Sequence, residues 1–437
     1  MANLTRQIRL SAALIVVMAV ASCGPQFDPA SKLQSLRILA VKKDHPYLRV
    51  KAPNPATNEP SSGEPSNVAG MTVALEDARA ARDRKGPLQK MWFAGCSNPP
   101  GDNYFTCMLS VWLSFKAYDA LAAKPLTDGE TWDISQASQA DIFQFVKDTF
   151  PKQFAQSGST GSSSGTGTGA LSQEDIINQA LALRVGAGDT FQYQIPDWLI
   201  AKHTPSADPN VPPYGMSQVY FAACDGTIGL SAEWQGEIDP LTVLTDATKG
   251  FPLDCYDTET ETQRGPDNFM VSYSNLYAYE KLTNQNPVIS GIKLDGKEVD
   301  TRALCIGKTC PLYEDSCRNE NAPRVPRCTK AKDADCPSLA FYPVLNEQDN
   351  SEVDTTATAA DPQAGKLLEQ MWIRYYANLG KMKADAKRLQ DANEGWFAEH
   401  GTEWQVPRKS GSAHVWTVAY DNRGGVDWVR TSICVSD

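Results

Sequence analysis

A mainly β chain made of two β-sandwiches is the fold that the sequence predicts, and three observations lead to it. Short strand-like runs, beginning with Leu36–Val41, recur at wide spacing with Pro- and Gly-bearing connections. The tail alternates over His414–Tyr420, turns through Asp421-Asn422-Arg423-Gly424-Gly425, whose residue types tolerate positive φ, and returns over Val426–Val435. The length of 437 residues, with 41% hydrophobic and 21% charged residues, suits two or three globular units at roughly 150 residues each and argues against wholesale disorder. Acids outnumber bases 52 to 41, which leaves no basic footprint for counterion release. Nucleic acid is therefore not an expected partner.

Residues 1–22 have the layout of a secretory signal, with Arg6 and Arg9 ahead of an apolar stretch from Leu10 to Ala21. That stretch falls short of the ~20 apolar residues that span a bilayer. Val20-Ala21-Ser22-Cys23 resembles the bacterial lipobox, in which the Cys sulfur takes a diacylglycerol and becomes the mature N-terminus; the alternative is an ordinary signal with a chance Cys. Several buried acyl chains at ~0.8 kcal/mol per CH₂ make such an anchor effectively permanent. Gly24 replaces the Asp that retains lipoproteins at the inner membrane of well-studied diderm bacteria, so the resemblance implies the outer membrane. The membrane is thus an expected partner through the lipid alone.

After a tether that ends at residue 34, a first domain is expected over 35–283. Its strands are Leu36–Val41, Met71–Leu75, Met91–Ala94, Phe191–Ile195, Gln218–Cys224 and Phe269–Tyr279. A helical insertion is expected around 138–185: Ile142, Phe143, Val146 and Phe150 form one stripe, and Ile176, Ile177, Ala180 and Leu181 another. The Gly/Ser/Thr run at 157–169 between them reads as a flexible loop. Asn284-Gln285-Asn286-Pro287 opens a second domain over 284–437. There Val288–Leu294 with Asp295-Gly296 reads as a hairpin, 301–337 as a Cys-rich irregular excursion, 346–362 as a polar loop and Leu367–Tyr376 as a strand. Lys381–His400 is ambiguous, with a short helix as one reading. Trp416, Val418 and Tyr420 share a face and are expected in the core of the second sandwich, with Trp428 near them.

Cysteine usage agrees with export. Setting Cys23 aside leaves an even ten, Cys96, Cys107, Cys224, Cys255, Cys305, Cys310, Cys317, Cys328, Cys336 and Cys434, which reads as up to five disulfides. Cys96/Cys107 and Cys224/Cys255 are the expected first pairs; the last six allow fifteen connectivities. A zinc site competes poorly, because Cys305 and Cys310 have no second knuckle and no nearby His.

Motifs that resemble chemistry do not survive their context. Gly161-Ser162-Ser163-Ser164-Gly165 matches a nucleophile elbow but sits in the low-complexity run. Gly291–Lys297 imitates a phosphate loop, yet Glu298 stands where Ser or Thr must hold Mg²⁺. His45, His203, His400 and His414 are scattered, and the acids Asp254, Asp257, Glu259 and Glu261 lack EF-hand spacing. No catalytic residue, metal or cofactor is expected. Of ten Trp residues most are expected in cores, while Trp396 and Trp404, which flank a polar loop, are the candidates for a surface aromatic contact.

The lipobox with FDPASKLQSLRILAV, then NQNPVISGIKLDGKEV and HVWTVAYDNRGGVDW, together resemble a group of uncharacterised outer-membrane lipoproteins of myxobacteria and related deltaproteobacteria. The resemblance implies immunoglobulin-like β-sandwich repeats on an outer-membrane anchor and carries over no catalytic or ligand-binding residues. The functional expectation is a non-catalytic binding or structural module for an envelope protein or glycan, facing the periplasm or the cell surface. The rival expectation is an extracytoplasmic hydrolase with its site in the Cys-rich region or the helical insertion.

Overall fold

The computed structural model describes residues 31–49, 67–79, 83–84, 87–99, 101, 104–149, 182–206, 211–236, 250–354, 357 and 367–437. Cys23, the 157–169 run with its Gly161–Gly165 motif, Phe150 of the first helical stripe and all of the second stripe lie outside them.

The described chain is mainly β. Its first half carries β1 (Leu36–Lys43), β2 (Tyr47–Arg49), β3 (Val68–Asp77), β4 (Gln89–Ser97), α1 (Met108–Leu121), β5 (Thr131–Asp133), α2 (Gln139–Thr149), β6 (Arg184–Ala187), β7 (Thr190–Gln194), β8 (Tyr214–Cys224), β9 (Thr227–Leu230), β10 (Leu253–Tyr256) and β11 (Phe269–Tyr279). The second half carries β12 (Gly291–Leu294), β13 (Lys297–Glu298), β14 (Leu304–Ile306), β15 (Arg324–Pro326), β16 (Ser338–Val344), α3 (Glu347–Asn350), β17 (Met371–Ala377), β18 (Lys381–Met382), β19 (Ala386–Asp391), β20 (Gly395–Trp396), β21 (Thr402–Gln405), β22 (Gly411–Asp421) and β23 (Val426–Ser436).

Four large sheets are stacked. A six-stranded sheet in the order β2-β11-β8-β4-β6-β5 packs on a three-stranded sheet, β1-β3-β7. A five-stranded sheet, β13-β12-β16-β21-β18, packs on a seven-stranded one in which β14-β23-β22-β17-β19-β20 run in order and β15 also pairs with β23. The period of two sorts side chains between layers. On β4, Trp92 and Ala94 join Met71, Val73 and Leu75 of β3 between the first two sheets, while Met91 and Phe93 face the other way onto α1. On β22 and β23, Ala413, Val415, Ala419, Val429 and Ile433 fill the space between the last two sheets.

The three-stranded sheet has no free face. Ala74 of β3 and Leu39 and Ala40 of β1, beyond a bulge between Ile38 and Ala40, pack against Trp416, Val418, Val426 and Trp428. This corrects the sequence reading: those tryptophans lie in the seam between the two halves, not in the core of the second sandwich. Alternation assigns residues to faces, but when both faces are apolar it does not say which neighbour each face meets. The seam also holds buried polar groups. Glu76 of β3 accepts from His414 Nδ1 at 2.9 Å and from Trp416 Nε1 at 3.0 Å, and buried Arg430 pairs with Glu314.

Ten predicted strands coincide with observed ones, and Asp295 and Gly296, both at positive φ, form the turn between β12 and β13. Helix α1 has no sequence signal, because it is apolar nearly all round and buries Leu109, Val111, Trp112, Leu113 and Ala117. On α2, Ile142 and Val146 are buried as expected, but Phe143 is 46% exposed. Lys381–His400 is three short strands, not a helix. The polar 346–362 stretch contains α3, started by Asn346, whose side chain accepts from Gln348 N at 3.0 Å. The Cys-rich segment is less irregular than expected, since β14 and β15 both pair with β23. Its disulfides are Cys305–Cys310, Cys317–Cys434 and Cys328–Cys336, alongside the expected Cys96–Cys107 and Cys224–Cys255.

Candidate functional site: a tyrosine cleft

Where the first half's outer sheet face passes the β22–β23 turn, a cleft of about 840 Å³ opens, within the ~300–1,000 Å³ common for small-ligand sites. Its floor follows from register. Leu276 and Ala278 of β11 are committed to the core, so Tyr273, Asn275, Tyr277 and Tyr279 must face outward. Antiparallel pairing sets Tyr214 opposite Tyr279 and Tyr220 opposite Tyr273, and the parallel partner β2 sets Tyr47 beside Tyr277. The rings form an array of two clusters: in one, Tyr47 and Tyr279 are 4.7 Å apart between centroids and Tyr214 and Tyr277 6.0 Å, and in the other Tyr273 stacks on Tyr104 at 5.0 Å. Tyr273 is 44% exposed, the most open ring of the array that faces the cleft. Burial raises the hydroxyl pKa of Tyr279 and Tyr220, so these rings stay neutral well above physiological pH.

The opposite wall is the turn that joins β22 to β23. Asp421 Oδ1 accepts from Arg423 N at 2.7 Å and Gly425 N at 2.8 Å, and a Cβ on Gly425 would lie 2.2 Å from Asp421 Oδ2. Glycine is required there. Arg423 donates to Asn284 Oδ1 at 2.8 Å, pairs with Glu352 at 3.0 Å and with Glu369, and holds its guanidinium 5.6 Å from the Tyr47 centroid. Burial raises the carboxyl pKa of Asp421, against the backbone N–H groups and Lys43, which lower it.

Between floor and wall lies Lys43, 3% exposed. Its Nζ donates one hydrogen bond, to Asn275 O at 3.0 Å. Desolvation brings its pKa down to about 8, with nearby Asp421 favouring the charge in part. Asn275 donates through Nδ2 to the Tyr277 hydroxyl at 3.4 Å, while its buried Oδ1 has no partner.

The residues singled out from sequence fall elsewhere. Trp404 is fully buried on β21, where it faces the second sandwich core and donates to Leu379 O at 3.0 Å, so its proposed surface role is withdrawn. Its polar neighbours Glu403 and Gln405 suggest a surface segment, but the strand alternates and the tryptophan takes the inner side. Trp396 is half-buried on β20, in a different sheet, with its ring 6.0 Å from His400. His400 and His414 are buried structural groups, and no cluster of His, Cys, Asp and Glu suited to a metal occurs among the described residues. Of the rival hydrolase placements, the Cys-rich segment is sewn to β23, and residues 150–181 of the insertion lie outside the described residues. The cleft had one signal in the sequence: Tyr273, Asn275, Tyr277 and Tyr279 alternate along a predicted strand whose other face is apolar.

Five disulfides are those of a protein matured outside the reducing cytosol. No helix among the described residues is long and apolar enough to cross a membrane. No family model and no curated protein matches the chain.

Proposed function

We propose that this is a lipid-anchored protein of the cell envelope, held at the outer membrane through acylated Cys23, that binds another envelope component without transforming it. Its two sandwiches are read as immunoglobulin-like, in keeping with the myxobacterial lipoproteins that the sequence resembles. The observation that carries the reading is the tyrosine cleft. It is walled by both halves of the chain, offers open aromatic surface beside a buried, under-bonded lysine, and is held by strands on one side and on the other by a turn that Asp421 closes through two backbone hydrogen bonds. The disulfides support the compartment, and the paired Arg423 and Asp421 support a binding wall over a proton-transferring one. A photo-crosslinker in place of Tyr273, used on intact envelopes, tests the site: adducts with a defined envelope molecule are expected, and none at Tyr273 would sink the reading. Mass spectrometry of the purified N-terminus is expected to find a diacylated Cys23, and an uncleaved leader would remove the anchor.

A further inference from the structure

The cleft's unspent hydrogen-bonding groups specify more than an aromatic surface. Lys43 Nζ has two N–H donors left after its bond to Asn275 O, and among the described residues no carboxylate lies within ion-pair distance of it. The side chain of that same asparagine holds Oδ1, an acceptor without a donor. A buried group in either condition costs free energy until something satisfies it. A hydroxyl is the simplest group that accepts from the lysine and donates to the amide, and a ligand carrying several of them on a flat apolar ring would also match Tyr273, with the half-buried Tyr277 and Tyr214 beside it. Charge argues the same way. The wall's ions are engaged with one another: Arg423 with Glu352 and Glu369, Asp354 with Asn422 Nδ2 at 3.1 Å, and Asp421 with two backbone N–H groups. An anion reaching Lys43 would also meet Asp421, and a cation reaching Asp421 would meet Lys43.

Resting on the binding reading above, we propose that the cleft takes a neutral oligosaccharide, with a sugar ring lying on the open face of Tyr273 and hydroxyls bonded to Lys43 Nζ and Asn275 Oδ1. A proline-rich peptide would also lie on tyrosines, but its prolyl nitrogens offer no proton to Asn275 Oδ1.

The test uses the full acylated chain in detergent micelles and calorimetric titration with tetrasaccharides of N-acetylglucosamine, glucose and mannose. At least one is expected to bind. Tyr273→Ala should weaken that binding about tenfold, Lys43→Met should weaken it by a similar factor, and Tyr273→Phe should leave it within about threefold. Far-UV and near-UV circular dichroism of each variant shows whether it remains folded; Tyr273→Ala, on an exposed ring, is the variant that decides if Lys43→Met does not fold. Binding by none of the three sugars, or binding that Tyr273→Ala leaves unchanged, overturns the oligosaccharide. If the Tyr273 crosslinker captures an envelope protein while the sugars fail, the ligand class falls and the binding reading stands. If it captures nothing, both fall.

Discussion

The two halves of the chain meet in two ways, along a closed seam and around an open cleft, and the contrast separates what holds the molecule together from what it offers to a ligand. In the seam, Trp416 and Trp428 are fully buried, Glu76 is 1% exposed and accepts from two side chains, and Arg430 has Glu314 for a partner. In the cleft, comparable rings remain partly open, a lysine as deeply buried as the seam's charges keeps two donors unspent, and an asparagine acceptor goes unmet. Most seam groups are satisfied by each other, Arg430 Nε being an exception, whereas in the cleft both the lysine and the asparagine are left short.

The largest effect is expected in the seam. Trp416→Ala empties a fully buried indole site and deprives Glu76 of one donor, and should cost about 3–5 kcal/mol in denaturant unfolding. A loss under about 1 kcal/mol would mean the halves do not depend on this contact. Joint replacement of Cys317 and Cys434 by Ala, which opens a crosslink spanning 117 positions between the Cys-rich segment and β23, should cost about 2–4 kcal/mol by the same measurement. Both cysteines belong to the second half, so this tests a staple within that half and not the seam.

Lys43 sharpens the contrast through pH. Its folded pKa, about 8, lies below the 10.5 of an unfolded lysine, so between those values the unfolded chain holds a proton that the folded chain has released. Raising the pH through that window therefore stabilises the fold, by on the order of 3 kcal/mol for the whole shift. The cleft tyrosines act in the opposite sense above about pH 10, because their raised folded pKa values keep protons the unfolded chain loses. Unfolding followed from pH 7 to 10 should show the rise, and Lys43→Met should abolish it. The smallest effect belongs to Tyr273→Ala: with the ring 44% exposed, stability should change by no more than about 1 kcal/mol. A tyrosine that alters binding and not stability, set against a tryptophan that does the reverse, is the outcome the comparison requires.

Strand positions were legible wherever a run alternated, as over Phe269–Tyr279, or was bounded by turn residues, as at Asp295-Gly296. Strands of two or three residues, such as β18 and β20, carry too few side chains to show a period, and α1 shows none because apolar residues are spread nearly all the way round it. Two disulfides followed from pairing neighbours in sequence, but Cys317–Cys434 joins positions that only the β15–β23 pairing brings together. The candidate site was hidden for a similar reason. Its tyrosines come from β2, β8 and β11, and its wall from a turn some 140 positions later in the chain.

By itself the sequence determined the β character, the even set of cysteines, the closing hairpin and the leader with its Cys23, because each of these is local: a period, a count, a turn or a contiguous motif. Which apolar face meets which, that Trp404 turns inward while Tyr273 stays open, and that Lys43 is buried without its full set of acceptors were decided by tertiary structure. Those outcomes depend on the stacking order of four sheets and on register between strands far apart in the chain, and a one-residue change of register would have turned every one of these side chains to the opposite face.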